Sequence, residues 1–439
     1  MSSGCHARRL VTIATLSLLA LGHIAGAQCA NALAPSYEAP VVGDGYSAQL
    51  IVAGLSKPRS IIFDTNGALL VVESGRGVTH LDLSDGGGTC LAAKKTTVLI
   101  NNSNLTHGIE LSQDGKTLYA SSANEVFSWT YDPAAVSVSN QRTLIQNMTN
   151  ADHVTRTLLL SKKQPDILLV SRGSGSNIDD LATQQSSGIS QIRAFNLTEL
   201  APGQIYDFPS NGKLLGWGLR NSVGVAEEPT TGGIYSVENS ADQVHRLGTD
   251  IHEDNPGEEM NFHGALDGSI SADSQGGNYG YPDCFALWST SGVPSLGGLK
   301  VGSQFSLDNS GPINDSVCNS EYVAPRLTFQ AHTAPLDIKF TPNGTLAYIT
   351  FHGSWNRDTP AGYKLSAIPF SNGAPTAPPD STTAAVDVLS NADLTACPGR
   401  CFRPAGLAID AQGRVYMTSD STGEIYVLQQ TAVGTGTSY

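Results

Sequence analysis

Alternating apolar and polar positions, punctuated by Asx-Gly or Gln-Gly pairs, recur along most of this chain. Ile61-Ile62-Phe63 leads through Asp64-Thr65-Asn66-Gly67 into Leu69-Leu70-Val71-Val72. Ile109-Glu110-Leu111 leads through Gln113-Asp114-Gly115 into Leu118-Tyr119-Ala120. The same grammar returns at Leu336 to Thr350 around Asn343-Gly344, and at Gly406 to Thr418 around Gln412-Gly413. Period-two alternation on both sides of a turn-forming pair is the signal of a β-hairpin. Weaker copies lie at Arg156 to Ser171 and at Ser222 to Glu238. A third strand often follows, as in Glu125 to Trp129 and Glu424 to Leu428.

Six such units begin near residues 59, 107, 154, 220, 335 and 404. Repeated four-stranded units at this spacing predict an all-β fold, a six-bladed β-propeller, whose radial closure leaves only short edges exposed. The long departure is Ile251 to Gln330. Its Gly- and Ser-rich text reads as a disulfide-stapled loop insertion between blades four and five, too poor in periodic apolar residues for a second domain. No helix of any length is expected after the first residues. Residues 28–439 are therefore expected to form one domain.

Composition changes this picture little. The chain is 40% hydrophobic and 15% charged, with 46 glycines and 22 prolines, as suits a loop-rich globular protein. Its formal charge of −14 argues against nucleic acid, which needs a basic footprint. The first residues change it more. Arg8 and Arg9 precede an apolar run from Leu10 to Leu21, and Ala25-Gly26-Ala27 offers a small-residue cleavage site. That order is a secretory signal peptide over residues 1–27, too short to span a bilayer. The mature chain is expected to be secreted, extracellular, monomeric and free of membrane helices, and losing the two arginines takes its charge to −16.

Of seven cysteines, six lie beyond the signal, and an even number in an exported protein suggests disulfides. Proximity in sequence favours Cys284–Cys318 and Cys397–Cys401, leaving Cys29–Cys90, out of fifteen possible pairings. A zinc site is the rival, but no C-x-x-C pair appears. Sequons at Asn101, Asn104, Asn147, Asn196, Asn314 and Asn343 mark surface loops in a glycosylating host.

A propeller gathers function where the loops before each inner strand surround the channel. Those loops carry Arg59, His107, Asp152-His153, Arg220-Asn221, His332-Thr333 and Arg403. Each unit thus supplies a basic or imidazole group at an equivalent place. Unpaired positive groups at a narrow mouth repel, so the ring implies an anionic ligand with several carboxylates. One strand pair after Arg220 comes an acidic Pro-Gly loop with Asp254, Asn255, Glu258 and Glu259. Several oxygen donors on a turn suit a hard cation such as calcium; a solvated acidic loop is the plainer alternative.

Five motifs carry a resemblance. They are Asp152-His153-x-x-Arg156-x-Leu158, Leu219-Arg220-Asn221, Asn255-Pro256-Gly257-Glu258-Glu259-x-Asn261, Asn278-Tyr279-Gly280-Tyr281-Pro282 and Phe351-His352-Gly353-Ser354-Trp355-Asn356-Arg357. In this order, from about residue 45 to 430, the chain resembles the soluble quinoprotein sugar dehydrogenases, most of all the fungal pyrroloquinoline quinone (PQQ)-dependent pyranose dehydrogenases. The resemblance implies PQQ and calcium as cofactors, and a pyranose or aldose oxidised at its anomeric carbon by hydride transfer to the quinone. It makes His153 the general base, with Asp152 orienting its ring. It places Arg59, His107, Arg220, Asn221, His352, Trp355 and Arg403 against the cofactor. It makes the carbonyls of Asn255 and Pro256 calcium ligands, and sets Glu258, Glu259 and Tyr279 in the region of a second calcium.

The loop of His352 and Trp355 departs from bacterial glucose dehydrogenase, which has lysine there, so the sugar is not specified. No C-x-x-C-H haem motif appears, so electrons are expected to leave for an external acceptor, a haem protein or a copper oxidoreductase. No appended carbohydrate-binding module is expected after the Gly- and Thr-rich tail. Two other classes stay open: a calcium-dependent propeller lactonase or esterase, expected to line its channel with acidic and amide oxygens, and a non-catalytic glycan- or protein-binding propeller.

Overall fold

In the computed structural model, Met1, Cys29, residues 32–270 and residues 275–431 are described. The expected signal peptide thus lies outside the described residues, Met1 apart. Six sheets of four or more strands form among them, arranged in chain order as blades. Blade 1 runs from Pro58–Phe63 through Leu69–Glu73 and Gly77–Asp85 to Leu91–Asn101. Blade 2 begins at Leu105–Leu111, blade 3 at Leu158–Leu160, blade 4 at Ser222–Glu227, blade 5 at Pro335–Phe340 and blade 6 at Pro404–Ile409. These inner strands match the six expected unit starts.

Local chemistry explains the hairpins. In the first, Asp64 Oδ1 accepts from the backbone N–H of Asn66 and of Ala68, each at 2.9 Å, and so closes the turn. Asp410 does the same for Gln412 and Arg414 in the last. The apolar half of each strand then packs against the next blade. Leu70, Val72 and Ile100 of blade 1 meet Leu118, Phe127 and Trp129 of blade 2 in one buried cluster, and equivalent clusters fill the other interfaces. Inner strands come very close around the axis. A Cβ at Gly108 would lie 2.3 Å from the Arg156 carbonyl oxygen, and one at Gly406 equally near that of Arg59.

Sequence periodicity did not reveal how the ring closes. Tyr46–Val52, in the lead-in, pairs antiparallel with Glu424–Gln430 and supplies the outer strand of blade 6. Its alternation is legible, but its partner lies at the far end of the chain. Val41–Val42 likewise extends blade 5 by pairing with Leu389 and Ser390.

The expected insertion over 251–330 divides. Glu258–Ala265 and Leu327–Phe329 are the third and fourth strands of blade 4 itself. Buried Glu258, Glu259, Asn261 and His263 disguise the first of these as loop text. Inserted matter therefore lies within blade 4, chiefly after Ala265, rather than between blades. All three expected disulfides form, Cys284–Cys318 within that inserted segment. The α-helix Asp315–Glu321 sits there too, its N-terminus capped by Asn314 Oδ1. Among the described residues no helix is long and apolar enough to cross a membrane.

Candidate active site

A cavity of about 330 Å³ opens where the loops before the inner strands converge. Arg59, His153, Arg220, His332, His352 and Arg403 all line it, so five blades contribute a basic or imidazole side chain. Blade 2 contributes indirectly: His107 is buried behind Arg59, whose Nε donates to His107 Nδ1 at 3.2 Å. Burial, with Arg59 beside it, holds the His107 imidazole well below its ordinary pKa.

The expected ring of unpaired cations is corrected: most of its members are paired. Two carboxylates that the hairpin pattern gave no reason to select divide them. Asp420 bridges Arg59 Nη1 at 2.5 Å and His352 Nε2 at 2.8 Å. Burial alone would raise its carboxyl, but His352 and Arg59 hold it well below the carboxylate range. Asp242 meets Arg220 Nη2 at 3.1 Å and His332 Nδ1 at 3.4 Å, and accepts from Asn356 Nδ2 at 2.8 Å. Arg403 is the exception. It donates to the carbonyls of His352 and Gly353 and lies over the Tyr363 ring, but among the described residues no carboxylate comes within ion-pair distance. Of the three cavity-lining arginines it is the one with charge to spare for an anion.

His153 stands in the left-handed region at φ +40°, a conformation that costs a non-glycine residue free energy unless its surroundings impose it. They do. Fully buried Arg156 donates to the carbonyls of His153 (2.7 Å), Thr155 (2.5 Å) and Met148, and pairs with no carboxylate among the described residues. Arg172 holds Asn150 Oδ1 and the Thr149 carbonyl of the same loop, each at 3.1 Å. Behind it Gly173 is obligatory, because a Cβ would sit 2.9 Å from His153 Cβ and 2.6 Å from Asn221 Oδ1.

The His153 ring is oriented by Ser174, not by Asp152. Its Nδ1 lies 3.0 Å from the Ser174 carbonyl and 2.9 Å from Ser174 Oγ. A carbonyl can only accept, so Nδ1 carries the proton and Nε2 is left as the acceptor nitrogen. Asp152 Oδ1 instead accepts from the backbone N–H of His153 at 2.8 Å, so the expected ring-orienting role is corrected. Burial, then the neighbouring Arg220 charge, pushes the imidazole down to about 4.

Asn221 lines the cavity beside Arg220. Trp355 stands at its lip, 67% exposed. The Asn255 side chain is tied into the inserted segment, accepting from the N–H groups of Trp288 and Ser289 and donating to the Ser289 carbonyl. Among the described residues nothing donates to the carbonyl oxygens of Asn255 or Pro256. Nor do three His, Cys, Asp or Glu side chains gather there as a metal cage. A hard cation here would draw on backbone oxygens, and the pair is free to provide them.

Glu258 reaches the cavity with Oε2 accepting from Ser240 N–H (2.7 Å) and Oε1 from Ala334 N–H (2.9 Å). Glu259 turns away to Asn261 Nδ2 at 3.0 Å. Burial raises both carboxyls to about 7. Tyr279 lies elsewhere, its hydroxyl donating to the Phe262 carbonyl (2.7 Å) and paired with His263 Nδ1 (2.8 Å).

The sequence profile of the TrAA12-like family matches residues 40–431. A pyrroloquinoline quinone-dependent sugar dehydrogenase of Hypocrea jecorina is 54% identical over 407 residues, 92% of either chain. A pyrroloquinoline quinone-dependent pyranose dehydrogenase of Coprinopsis cinerea is 39% identical over 92% of this chain, which spans only 56% of that protein. Among solved structures, the calcium structure of the Trichoderma reesei carbohydrate-active enzyme of family AA12 superposes with a TM-score of 0.89 at 55% identity, covering 92% of this chain and 100% of that one. The holo form of the Coprinopsis cinerea pyranose dehydrogenase PQQ domain gives 0.85 at 39%, covering 91% and 99%. A Streptomyces coelicolor aldose sugar dehydrogenase, 17% identical with a TM-score of 0.56 over 89% of this chain and 99% of that one, shares the fold.

Proposed function

The chain belongs to the TrAA12-like family, and from that premise we propose that it is a PQQ- and calcium-dependent dehydrogenase oxidising a pyranose or related aldose at its anomeric carbon. The single observation that carries the chemistry is His153, a cavity-lining imidazole locked into one tautomer by Ser174 with Nε2 unclaimed. PQQ, when bound, would supply a two-electron acceptor and calcium a Lewis acid.

The residues divide the remaining work. Arg403 would hold a carboxylate of the cofactor, and Arg59 and Arg220 would lend positive field while still bound to Asp420 and Asp242. The carbonyls of Asn255 and Pro256, with no donor among the described residues, would seat calcium. His153 Nε2 takes the hydroxyl proton of the anomeric carbon as hydride leaves it, and a general base neutral at working pH suits that step. Arg156 and Ser174 keep the ring aimed while Trp355 offers the sugar an apolar face at the lip. The sugar becomes a lactone, and two electrons and two protons leave to an external acceptor, for which a haem or copper redox protein is suited. Export by the N-terminal signal would bring the enzyme to its sugars.

The test is reconstitution. Apoprotein given PQQ and calcium, then an aldose and a dye acceptor, should reduce the dye only when both cofactors are present. A protein that perturbs neither the quinone absorbance nor the dye with any aldose overturns the proposal.

A further inference from the structure

The six sequons are not equivalent in the folded chain. Asn147 Nδ2 donates to Asp207 Oδ1 at 2.7 Å, and Asn196 Nδ2 to Glu199 Oε1 at 2.9 Å, so the nitrogens that would carry a glycan are engaged. Asn314 caps a helix, and Asn343 holds the hydroxyls of Thr341 and Thr345. Asn101 ends a strand, pairing across to Gly77. Asn104 lies outside any strand or helix, and its side chain is in no such contact among the described residues. It is exposed, its side-chain amide makes no hydrogen bond among the described residues, and it sits in a turn where Asn102 Oδ1 accepts its backbone N–H at 3.0 Å.

Its place in the fold gives it consequence. Thr106, the third residue of this sequon, donates through Oγ1 to the Val154 carbonyl at 3.2 Å. Val154 lines the cavity directly after His153, and His107, directly after Thr106, backs Arg59. Two residues span at most about 7 Å, so Asn104 lies within that reach of the residue bonded to the cavity-lining Val154. Across the cavity Trp355 is open to solvent.

We propose that Asn104 carries an N-linked oligosaccharide at the lip of the cavity, screening its blade 1 and blade 2 side and leaving large molecules to approach over Trp355. The proposal rests on the reading that the chain is exported. The amide nitrogen of Asn104 displaces the pyrophosphate of a lipid-linked oligosaccharide; a C1–N bond forms, the sugar–phosphate bond breaks, and the amide proton is lost. The hydrated glycan adds bulk beside the mouth without touching the cofactor residues.

The test uses protein secreted by a glycosylating yeast or filamentous fungus. Mass analysis after endoglycosidase trimming, with fragmentation to separate Asn104 from the neighbouring Asn101 sequon, should find one residual sugar on Asn104, a readout that needs no activity. An unmodified Asn104 overturns the proposal. Reconstituted wild type and Asn104→Gln are then compared with a small dye and with a haem protein as acceptors. Dye reduction should be equal in the two, while the haem-protein rate in the variant should rise roughly twofold or more, because a wider range of approach orientations becomes productive. Equal haem-protein rates overturn the screening role. Should the quinone reading itself fail, neither protein reduces dye, yet the glycan is still read by mass.

Discussion

The two halves of the cavity are built from the same parts and put to different use. On the side of blades 1, 5 and 6, Asp420 joins Arg59 to His352. On the side of blades 3, 4 and 5, Asp242 joins Arg220 to His332. In each, a half-buried carboxylate holds two cationic or imidazole groups in place. The halves differ in what is left over. The first leaves Arg403 without a carboxylate, a charge available to an anion. The second leaves His153 neutral with an open nitrogen. Pairing most of the charge makes a stable ring. Of the cavity-lining basic and imidazole groups, Arg403 on the first side and His153 on the second are the ones without a carboxylate partner among the described residues, and in the proposed mechanism they serve as anchor and proton acceptor.

Removing the unpaired group from the second half should have the largest effect. His153→Ala is expected to lower kcat by about 10²–10⁴-fold, the usual worth of a positioned general base, with quinone affinity nearly unchanged. Stopped-flow reduction of the reconstituted enzyme, beside quinone titration, separates the two. Normal turnover in this variant would mean that the proton goes elsewhere. In the first half, Arg403→Ala should cost quinone binding about 2–5 kcal/mol while leaving kcat at saturation within a few-fold. Arg403→Lys should recover only part, since an ammonium is a point charge rather than a fork. A variant that binds quinone normally but turns over slowly would merge the two roles and break the comparison.

The next test changes pH rather than sequence. Because burial and Arg220 hold His153 near 4, kcat/KM should stay flat below pH 6.5 and fall only as pH drops through about 4. Stability carries the same sign. His153 and His263, the latter held near 3 by burial, bind fewer protons folded than unfolded between their folded pKa and about 6.5. Unfolding free energy should therefore decline as pH falls from about 6.5 toward 4, read as a lower melting temperature. An activity limb near 6.5 would show the imidazole in water rather than buried.

How much of this was legible in the chain depends on the range of each interaction. Blade starts were readable because a turn such as Asp64 to Ala68 is settled within five residues. The basic ring was readable because the units repeat. Its counter-ions were not: Asp420 lies 361 residues from Arg59 and comes from the turn after the second strand of blade 6. Ser174, which fixes the His153 ring, sits in an unremarkable Gly-Ser run 21 residues on. Asp152, adjacent to His153, was the natural choice for that role from sequence alone. Strand closure by Tyr46–Val52 escaped for the same reason, since a local pattern marks a strand without naming its partner.

Asp152 also gives the smallest and most discriminating prediction. Its carboxylate accepts from the His153 backbone N–H, and an asparagine oxygen can accept the same bond. Asp152→Asn should therefore preserve the left-handed backbone at His153 and the Ser174 contact. What it removes is negative charge that, among the influences on the ring, favours protonation. The acid limb of kcat/KM should move slightly to lower pH, with the plateau rate changed by less than about threefold, as expected of a charge at a solvent-exposed position. Ser174→Gly, which deletes the Oγ contact but keeps the carbonyl, should cost more, about tenfold, because the ring loses one of its two fixed partners. The ranking of these two variants decides which neighbour aims the base: a carboxylate in ring contact would make Asp152→Asn the more damaging, whereas the observed bonds require the reverse.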